Sequence, residues 1–173
     1  MDCWATADKK GALHIWDLLT NEIKQSFYPK HETKEPQRYI MDLAEIEYVK
    51  LVATASADKH ITLWDLNKGN IIFSINMIKG GVHQIKFFAT YQVLLIAGYD
   101  NAIPVFSVTP TYYDLNICGR LIGHLHIVTA IECIENSPMV ITADDNGTIK
   151  TWDIRSFQCC QTIGLSRKTL ITK

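Results

Sequence analysis

The sequence lacks an excess of either charge. Its 173 residues include 17 Lys and Arg against 18 Asp and Glu, which gives a formal net charge of −1. Proteins that hold nucleic acid or anionic membranes through electrostatics usually present a strongly basic surface. The balance therefore predicts a protein whose partners are neither nucleic acid nor membrane.

Cysteine is sparse, and no apolar run is long enough to span a membrane. The five cysteines are odd in number and show no disulfide-framework spacing, which favours reduced thiols: Cys3, Cys118, Cys133, Cys159 and Cys160. The first residues, MDCWATADKK, have no signal-peptide pattern, and VLLIAG (93–98) has only the length of a strand. We therefore expect a cytoplasmic protein.

One phrase recurs along the chain. TADKKGALHIWDL begins at Thr6 and TADDNGTIKTWDI begins at Thr142, with TASADKHITLWDL at Thr54 and IAGYDNAIPVFSV at Ile96 between them. The steps from 6 to 54, 54 to 96 and 96 to 142 are 48, 42 and 46 residues. A nearly constant period of this size is typical of propeller and solenoid repeats.

Each repeat reads as a small antiparallel sheet. In residues 121–164 four β-prone runs follow one another: VTAIEC (128–133), MVITAD (139–144), TIKTWDI (148–154) and FQCCQTI (157–163). Asn146-Gly147 predicts a type I′ hairpin between the second and third runs. Such a meander cannot bury both faces alone and must stack on its neighbours. The predicted fold class is all-β, built from about four β-propeller blades of four strands each.

The repeat resembles the WD-repeat (transducin-beta-like) family of propellers. The resemblance is carried by Gly123-His124, by Thr142 and by Trp152-Asp153, and in weaker form it covers essentially the whole chain. It implies blades at about residues 1–28, 38–78, 81–122 and 123–164, followed by a strand at 165–173.

The resemblance also implies a structural hydrogen-bond relay of His, Asp, Ser or Thr, and Trp in each blade. Counting back from each Trp assigns the relay to His124, Thr142, Asn146 and Trp152 in the fourth copy, and to Thr54, Asp58 and Trp64 in the second. The third copy has Phe106 and Ile96 at the Trp and Thr positions. Such a relay satisfies buried donors, so we expect it to act on stability.

Four repeats fall short of the seven that this family usually contains, for which about 300 residues are needed. We favour a segment of a larger propeller, whose remaining blades would cover the two open sheet faces. Two alternatives remain: a closed four-bladed ring completed by residues 166–171, and the association of two copies.

No arrangement of residues predicts chemistry. His124 and His126 with Cys159-Cys160 suggest a metal site, but His124 belongs to the relay and adjacent strand residues face opposite ways. Asp144-Asp145 is interpreted as a solvated turn, and Asn146-Gly147-Thr148 as a hairpin instead of a glycosylation site. We expect no enzymatic activity, cofactor or metal.

Two loops depart from the repeat and are candidate partner-binding segments. The first, YPKHETKEPQR (28–38), carries Lys30, His31, Lys34 and Arg38, and the family resemblance implies a place on the rim formed by fourth-to-first strand connections. The second, TPTYYDLN (109–116), is expected on the opposite rim and carries Tyr112 and Tyr113, a residue type common at protein contacts. For each loop, an ordinary solvated connection is the alternative.

The predicted function is a non-catalytic scaffold that assembles a protein complex. One alternative is a reader of peptides or modified tails at the mouth of the propeller channel. Another is a ciliary WD-repeat protein of the kind associated with EF-hands. All three rest on resemblance at the level of the fold, which by itself does not fix function.

Overall fold

The computed structural model describes residues 3–28, 39–76, 80–108 and 115–164. Blade 1 contains β1 (Cys3–Ala7), β2 (Leu13–Asp17) and β3 (Ile23–Phe27). Blade 2 contains β4 (Ile40–Ile46), β5 (Leu51–Ser56), β6 (His60–Asp65) and β7 (Asn70–Asn76). Blade 3 contains β8 (Val82–Phe88), β9 (Val93–Gly98), β10 (Ala102–Val108) and β11 (Leu115–Ile122). Blade 4 contains β12 (Val128–Cys133), β13 (Met139–Asp144), β14 (Thr148–Asp153) and β15 (Gln158–Gly164). Two short 3-10 turns, Glu47–Val49 and Ala89–Tyr91, join β4 to β5 and β8 to β9.

Every blade is an antiparallel meander in which strand order follows chain order. The repeated aromatic residues occupy equivalent positions on β2, β6, β10 and β14, where Trp16, Trp64, Phe106 and Trp152 pair with Trp4, Val52, Leu94 and Val140. By this equivalence β1, β2 and β3 correspond to the second, third and fourth strands of the other blades, and we number the strands of blade 1 in that way. The predicted all-β fold of about four propeller blades is therefore confirmed.

Two β-bulges recur in the blades. One lies on the fourth strand opposite the aromatic position, with the extra residues Lys24, Ile72, Cys118 and Cys160. The other lies near the start of the first strand in blades 2 to 4, with the extra residues Met41, His83 and Thr129. Bulges increase local twist, and a bulge at the same place gives the blades matching twists.

The core lies between blades instead of within them. Three clusters of buried side chains join blade 1 to blade 2, blade 2 to blade 3 and blade 3 to blade 4. In each cluster the Trp- or Phe-bearing face of one blade packs on the opposite face of the preceding blade. We name these the indole face and the aliphatic face.

The turn between β13 and β14 differs from the predicted type I′ hairpin. Gly147 has a φ of 80°, but Asn146 is not among the residues with positive φ. The backbone N–H of Gly147 donates to Asp144 O at 3.0 Å, which closes a type I turn followed by one left-handed residue. Gly11 and Lys59 form the equivalent turns in blades 1 and 2.

The aspartate that follows each tryptophan closes the next turn. Asp17 Oδ1 accepts the N–H groups of Leu19 and Thr20, and Asp65 Oδ1 accepts those of Asn67 and Lys68. Such Asx turns stabilise the connection from the third to the fourth strand. The recurrence of Trp-Asp thus has a structural cause.

Candidate functional site

The most polar buried site is a chain of four side chains in blade 4. Trp152 Nε1–H donates to Thr142 Oγ1 at 2.8 Å, and Thr142 Oγ1 lies 2.6 Å from His124 Nε2. His124 Nδ1 lies 2.9 Å from Asp144 Oδ2. All four side chains are buried, and Trp152 is 0% exposed.

The hydrogen bonds assign one proton arrangement to this relay. An ionised Asp144 can only accept, so His124 Nδ1 carries a proton and donates to it. Thr142 Oγ1 accepts from the indole, and its own O–H is available to donate to His124 Nε2. In this arrangement every polar side-chain atom of the relay is paired, which avoids the cost of a buried unsatisfied group.

Gly123 sets the approach of His124 to the indole. Its φ is 151°, a value that side chains rarely adopt, and an added Cβ would lie 3.3 Å from the Trp152 ring. Sterics therefore explain why glycine precedes the relay histidine. Without a Cβ at position 123 the loop can approach the Trp152 ring closely, and this approach brings His124 into the relay.

The acid of the relay is Asp144 and not Asn146, so the sequence assignment of Asn146 was wrong. Asn146 is exposed, and its backbone N–H donates to Asp144 Oδ1 at 3.2 Å. Asp144 was interpreted as a solvated turn residue, but it ends β13 and is only 5% exposed. The count of six back from Trp152 stops at position 146, two residues short of the end of β13 at Asp144.

The environment of Asp144 favours its ionised form. Burial alone would raise the pKa of this carboxyl, but hydrogen bonds from His124 and from the Thr148 backbone outweigh burial and lower it below the ordinary 3.8. The Thr148 N–H lies 2.8 Å from Asp144 Oδ1. The charge is therefore paired on both oxygens, as a buried carboxylate requires.

Blade 2 keeps half of the relay. Trp64 Nε1–H donates to Thr54 Oγ1 at 2.8 Å in a buried contact. The position equivalent to Asp144 is Ser56, which donates to Tyr39 O at 3.1 Å. Asp58, assigned to the relay from sequence, lies instead in the turn after β5, where it accepts from His60 N at 3.1 Å.

Blade 3 replaces the relay with apolar residues. Ile96 and Phe106 are each 2% exposed at the Thr and Trp positions. Gly98 stands where blade 4 has Asp144, and an added Cβ there would lie 2.3 Å from Gly81 O. With no indole N–H to satisfy, this blade needs no hydroxyl or carboxylate.

A Ser–His–Asp series on blade 1 was not foreseen from sequence. His14 Nδ1 lies 2.8 Å from Ser26 Oγ, and His14 Nε2 lies 3.8 Å from Asp8 Oδ2. Two polar pairs occupy the equivalent cross-strand positions, Thr62 with Ser74 and Lys150 with Thr162. The series is therefore a cross-strand polar pair of the blade, and its 3.8 Å His–Asp contact is too long for a hydrogen bond.

The first strands of adjacent blades are joined by side-chain hydrogen bonds. Asp42 Oδ2 accepts the N–H of Ile85 at 3.0 Å, and Gln84 Oε1 accepts the N–H of Ile131 at 2.6 Å. Asp42 and Gln84 are equivalent in the repeat, and each immediately follows its first-strand bulge. An ion pair between Lys86 Nζ and Glu132 Oε1 at 2.8 Å adds a further link between blades 3 and 4.

A backbone hydrogen bond recurs along one edge of blades 2, 3 and 4. The N–H groups of Ala57, Tyr99 and Asp145 donate to the carbonyls of Tyr39, Gly81 and Ile127 at 2.9, 3.1 and 3.0 Å. These bonds tie each second-to-third strand turn to the segment entering the same blade. We call this edge the entry rim.

Exposed apolar side chains gather on the entry rim. Leu125 is 84% exposed and Tyr99 is 58% exposed. The Tyr99 ring centroid lies 4.5 Å from that of His83. The six predicted partner-binding residues lie outside the described residues: Lys30, His31, Lys34, Arg38, Tyr112 and Tyr113.

The described ranges contain neither a cluster of potential metal ligands nor a helix fit to span a membrane. Among residues 3–28, 39–76, 80–108 and 115–164, no three His, Cys, Asp or Glu side chains are grouped as a metal site would need. In the same ranges no helix has the length and apolar character needed to cross a bilayer. Cys133 is partly buried, and this burial raises the pKa of its thiol to about 12 and makes it a poor nucleophile.

Comparison with known proteins places the chain among repeat-containing propellers. The family model described as "WD domain, G-beta repeat" matches residues 116–153. A U3 small nucleolar RNA-associated protein 21 homolog from Schizosaccharomyces pombe is 26% identical over 145 residues, covering 84% of this chain and 15% of its own length. The cilia- and flagella-associated protein 337 B of Tetrahymena thermophila is 26% identical over 155 residues, covering 88% and 12%.

A third relative carries the repeat in its name. WD repeat-containing protein 18 of Danio rerio is 25% identical over 120 residues, which are 65% of this chain and 28% of that protein. The chain thus spans 12% to 28% of the length of these three relatives. None of their names describes an enzyme.

Proposed function

The chain belongs to the WD-repeat family, and from this premise we propose that it is a non-catalytic scaffold that holds other proteins in a complex. The observation that supports this most is the use of the signature residues inside the blades. His124, Thr142, Asp144 and Trp152 bond to one another, so they do not face a substrate. The surface that remains available for binding other proteins is therefore the edges of the blades.

The entry rim is the surface we propose for partner binding. Its turns are fixed by the repeated backbone contact, so that exposed side chains such as Leu125 and Tyr99 are held at low conformational cost. Preorganised apolar and aromatic side chains are typical of binding hot spots.

Two leucines offer a matched test. Leu125 on the entry rim and Leu19 on the opposite rim are 84% and 94% exposed. Proteins co-purified from cells with the intact chain should be lost with Leu125→Asp and retained with Leu19→Asp, while circular dichroism stays unchanged in both variants. Equal retention by both variants would remove the entry rim from the proposal, and loss with Leu19→Asp alone would move the binding surface to the opposite rim.

A peptide reader is the second candidate, supported by the ring contact between His83 and Tyr99. His83 is the bulged residue of β8 and Tyr99 lies at the turn after β9, so the two rings lie at the start of the first strand of blade 3. In a closed propeller, we expect the first strands to border the central channel. A peptide array probed with the intact chain and with His83→Ala tests it. Binding to short peptides that His83→Ala abolishes would favour the reader over the scaffold.

We further propose a cytoplasmic location. All five cysteines are free, as is usual in a reducing compartment. A ciliary location is the alternative, since one relative is named for cilia and flagella. Imaging of the tagged chain in ciliated cells distinguishes the two.

A further inference from the structure

The indole face of blade 1 has no blade packed on it within the described residues. Trp4 is 61% exposed. The residues at its position in blades 2, 3 and 4 are buried, with exposed fractions of 2% for Val52, 0% for Leu94 and 0% for Val140. Trp16 is half-buried, while its counterpart Trp152 is fully buried. Two adjacent tryptophans thus stand open on one sheet.

The aliphatic face of blade 4 is open in the same way. Ile149 and Ile163 pair across β14 and β15 and are 38% and 49% exposed. The equivalent pair in blade 3, Ile103 and Leu121, is 0% exposed because blade 4 covers it. Within the part of the chain that the structure describes, blade 1 thus leaves an indole face uncovered and blade 4 an aliphatic face.

The three internal contacts show what covers an indole face. In each of them it is the aliphatic face of another blade of this chain, and residues at the same repeat positions enter each cluster. Two of these positions carry aliphatic residues of similar size: Ile15 shares a cluster with Val52, Leu63 with Leu94, and Val105 with Val140.

The two open faces depart from this size rule in opposite directions. Trp4 is much larger than its three counterparts. Thr151, at the position of Ile15, Leu63 and Val105, is the smallest of its set and is partly exposed. A large residue facing a small one fills a packed layer as well as two of middle size. Trp4 thus fits the face of blade 4 better than it fits any other face of this chain.

We propose that the indole face of blade 1 docks on the aliphatic face of blade 4 of a second copy, with Trp4 packed over Thr151. The contact joins two different surfaces, so each copy can use its indole face in one contact and its aliphatic face in a second contact with the same partner. Two copies would then close into a ring of eight blades, within the range of known propellers. This inference does not depend on the proposed scaffold function.

Sedimentation velocity of the intact chain over a concentration series tests the proposal. The wild type should dimerise, and Trp4→Glu and Ile163→Glu should each weaken dimerisation by at least about tenfold. An equimolar mixture of the two variants should recover a dimer, because it restores one intact contact. Leu125→Glu, on the entry rim, is the exposed control and should dimerise like the wild type.

A size swap tests the specific packing and guards against variants that unfold. Thr151→Leu should weaken dimerisation by overfilling the layer against Trp4, and Trp4→Val combined with Thr151→Leu should restore it. A wild type that stays monomeric at every concentration overturns the proposal and leaves these faces to blades of another chain. Loss with Trp4→Glu but not with Ile163→Glu also overturns it, because the two indole faces would then be pairing with each other.

Discussion

Blades 3 and 4 bury the same positions with opposite chemistry. In blade 4 an indole N–H, a hydroxyl, an imidazole and a carboxylate satisfy one another. In blade 3 the equivalents that the structure describes are Phe106, Ile96 and Gly98, which bring no polar side-chain atom into the same space. Neither blade leaves a buried polar side-chain atom unpaired among the described residues. A hydrogen-bonded pair of the relay can therefore be replaced as a unit, as blade 2 shows, but removing one partner alone leaves the other unpaired.

The largest expected effect comes from removing the centre of the blade 4 solution. Trp152→Ala should lower the free energy of unfolding by about 3–5 kcal/mol, since it empties a fully buried site and leaves Thr142 without its indole donor. Chemical denaturation of the two proteins measures it. A loss below about 0.5 kcal/mol, the usual limit for a surface substitution, would contradict the packing described.

In blade 2 the relay is reduced to Trp64 and Thr54, so these two residues can be replaced by the Phe and Ile that blade 3 has at the same positions. Thr54→Ile alone leaves a buried indole N–H unpaired and should cost about 1–3 kcal/mol. Adding Trp64→Phe removes that N–H, so the double variant should lose less stability than the two single losses added together. A double-mutant cycle measures this coupling. Simple additivity would show that the hydrogen bond is not what links the two positions.

Acid should weaken blade 4 through Asp144. Because its folded pKa lies below the ordinary 3.8, ionisation of Asp144 favours the folded state. This contribution is complete above the unfolded pKa and is lost as the pH falls through the lower folded value. The stability difference between the wild type and Asp144→Asn should therefore narrow below about pH 4. Asp145→Asn is the control and should follow the wild-type pH dependence.

The smallest expected effect is at the exposed neighbour. Asp145 bonds to Ile127 only through its backbone N–H, so Asp145→Ala should change stability by less than about 0.5 kcal/mol. Thermal melts of Asp145→Ala and Trp152→Ala, measured side by side, compare the exposed and buried ends of the same hairpin. Similar shifts in the two would contradict the assignment of both residues.

The strands were predictable from sequence because the signals that set them are local. Val128–Cys133 and Met139–Asp144 were predicted with the bounds that the structure has, since β-branched runs and turn residues mark both ends. The equivalence of Trp16, Trp64, Phe106 and Trp152 followed from the repeat period alone.

The acid of the relay was missed for a physical reason. The sequence count assumed that the acid lies in the turn, whereas the turn is built on Asp144 itself, whose Oδ1 accepts from Asn146 and Thr148. The contacts of Asp42 and Gln84 with the next blade were also missed. They join residues more than 40 positions apart, a relation that no local pattern contains.

The signature residues of blade 4 bond to one another inside the blade, and hydrogen exchange at the indole N–H groups shows whether they do so in solution. Nuclear magnetic resonance resolves the Nε1–H of each of the four tryptophans, which assigned single Trp→Phe variants identify. The structure predicts slow exchange for Trp152 and Trp64, which are buried and bonded to threonine, and fast exchange for Trp4. Exchange at Trp152 as fast as at Trp4 would contradict the relay, and with it the view that these residues serve the fold.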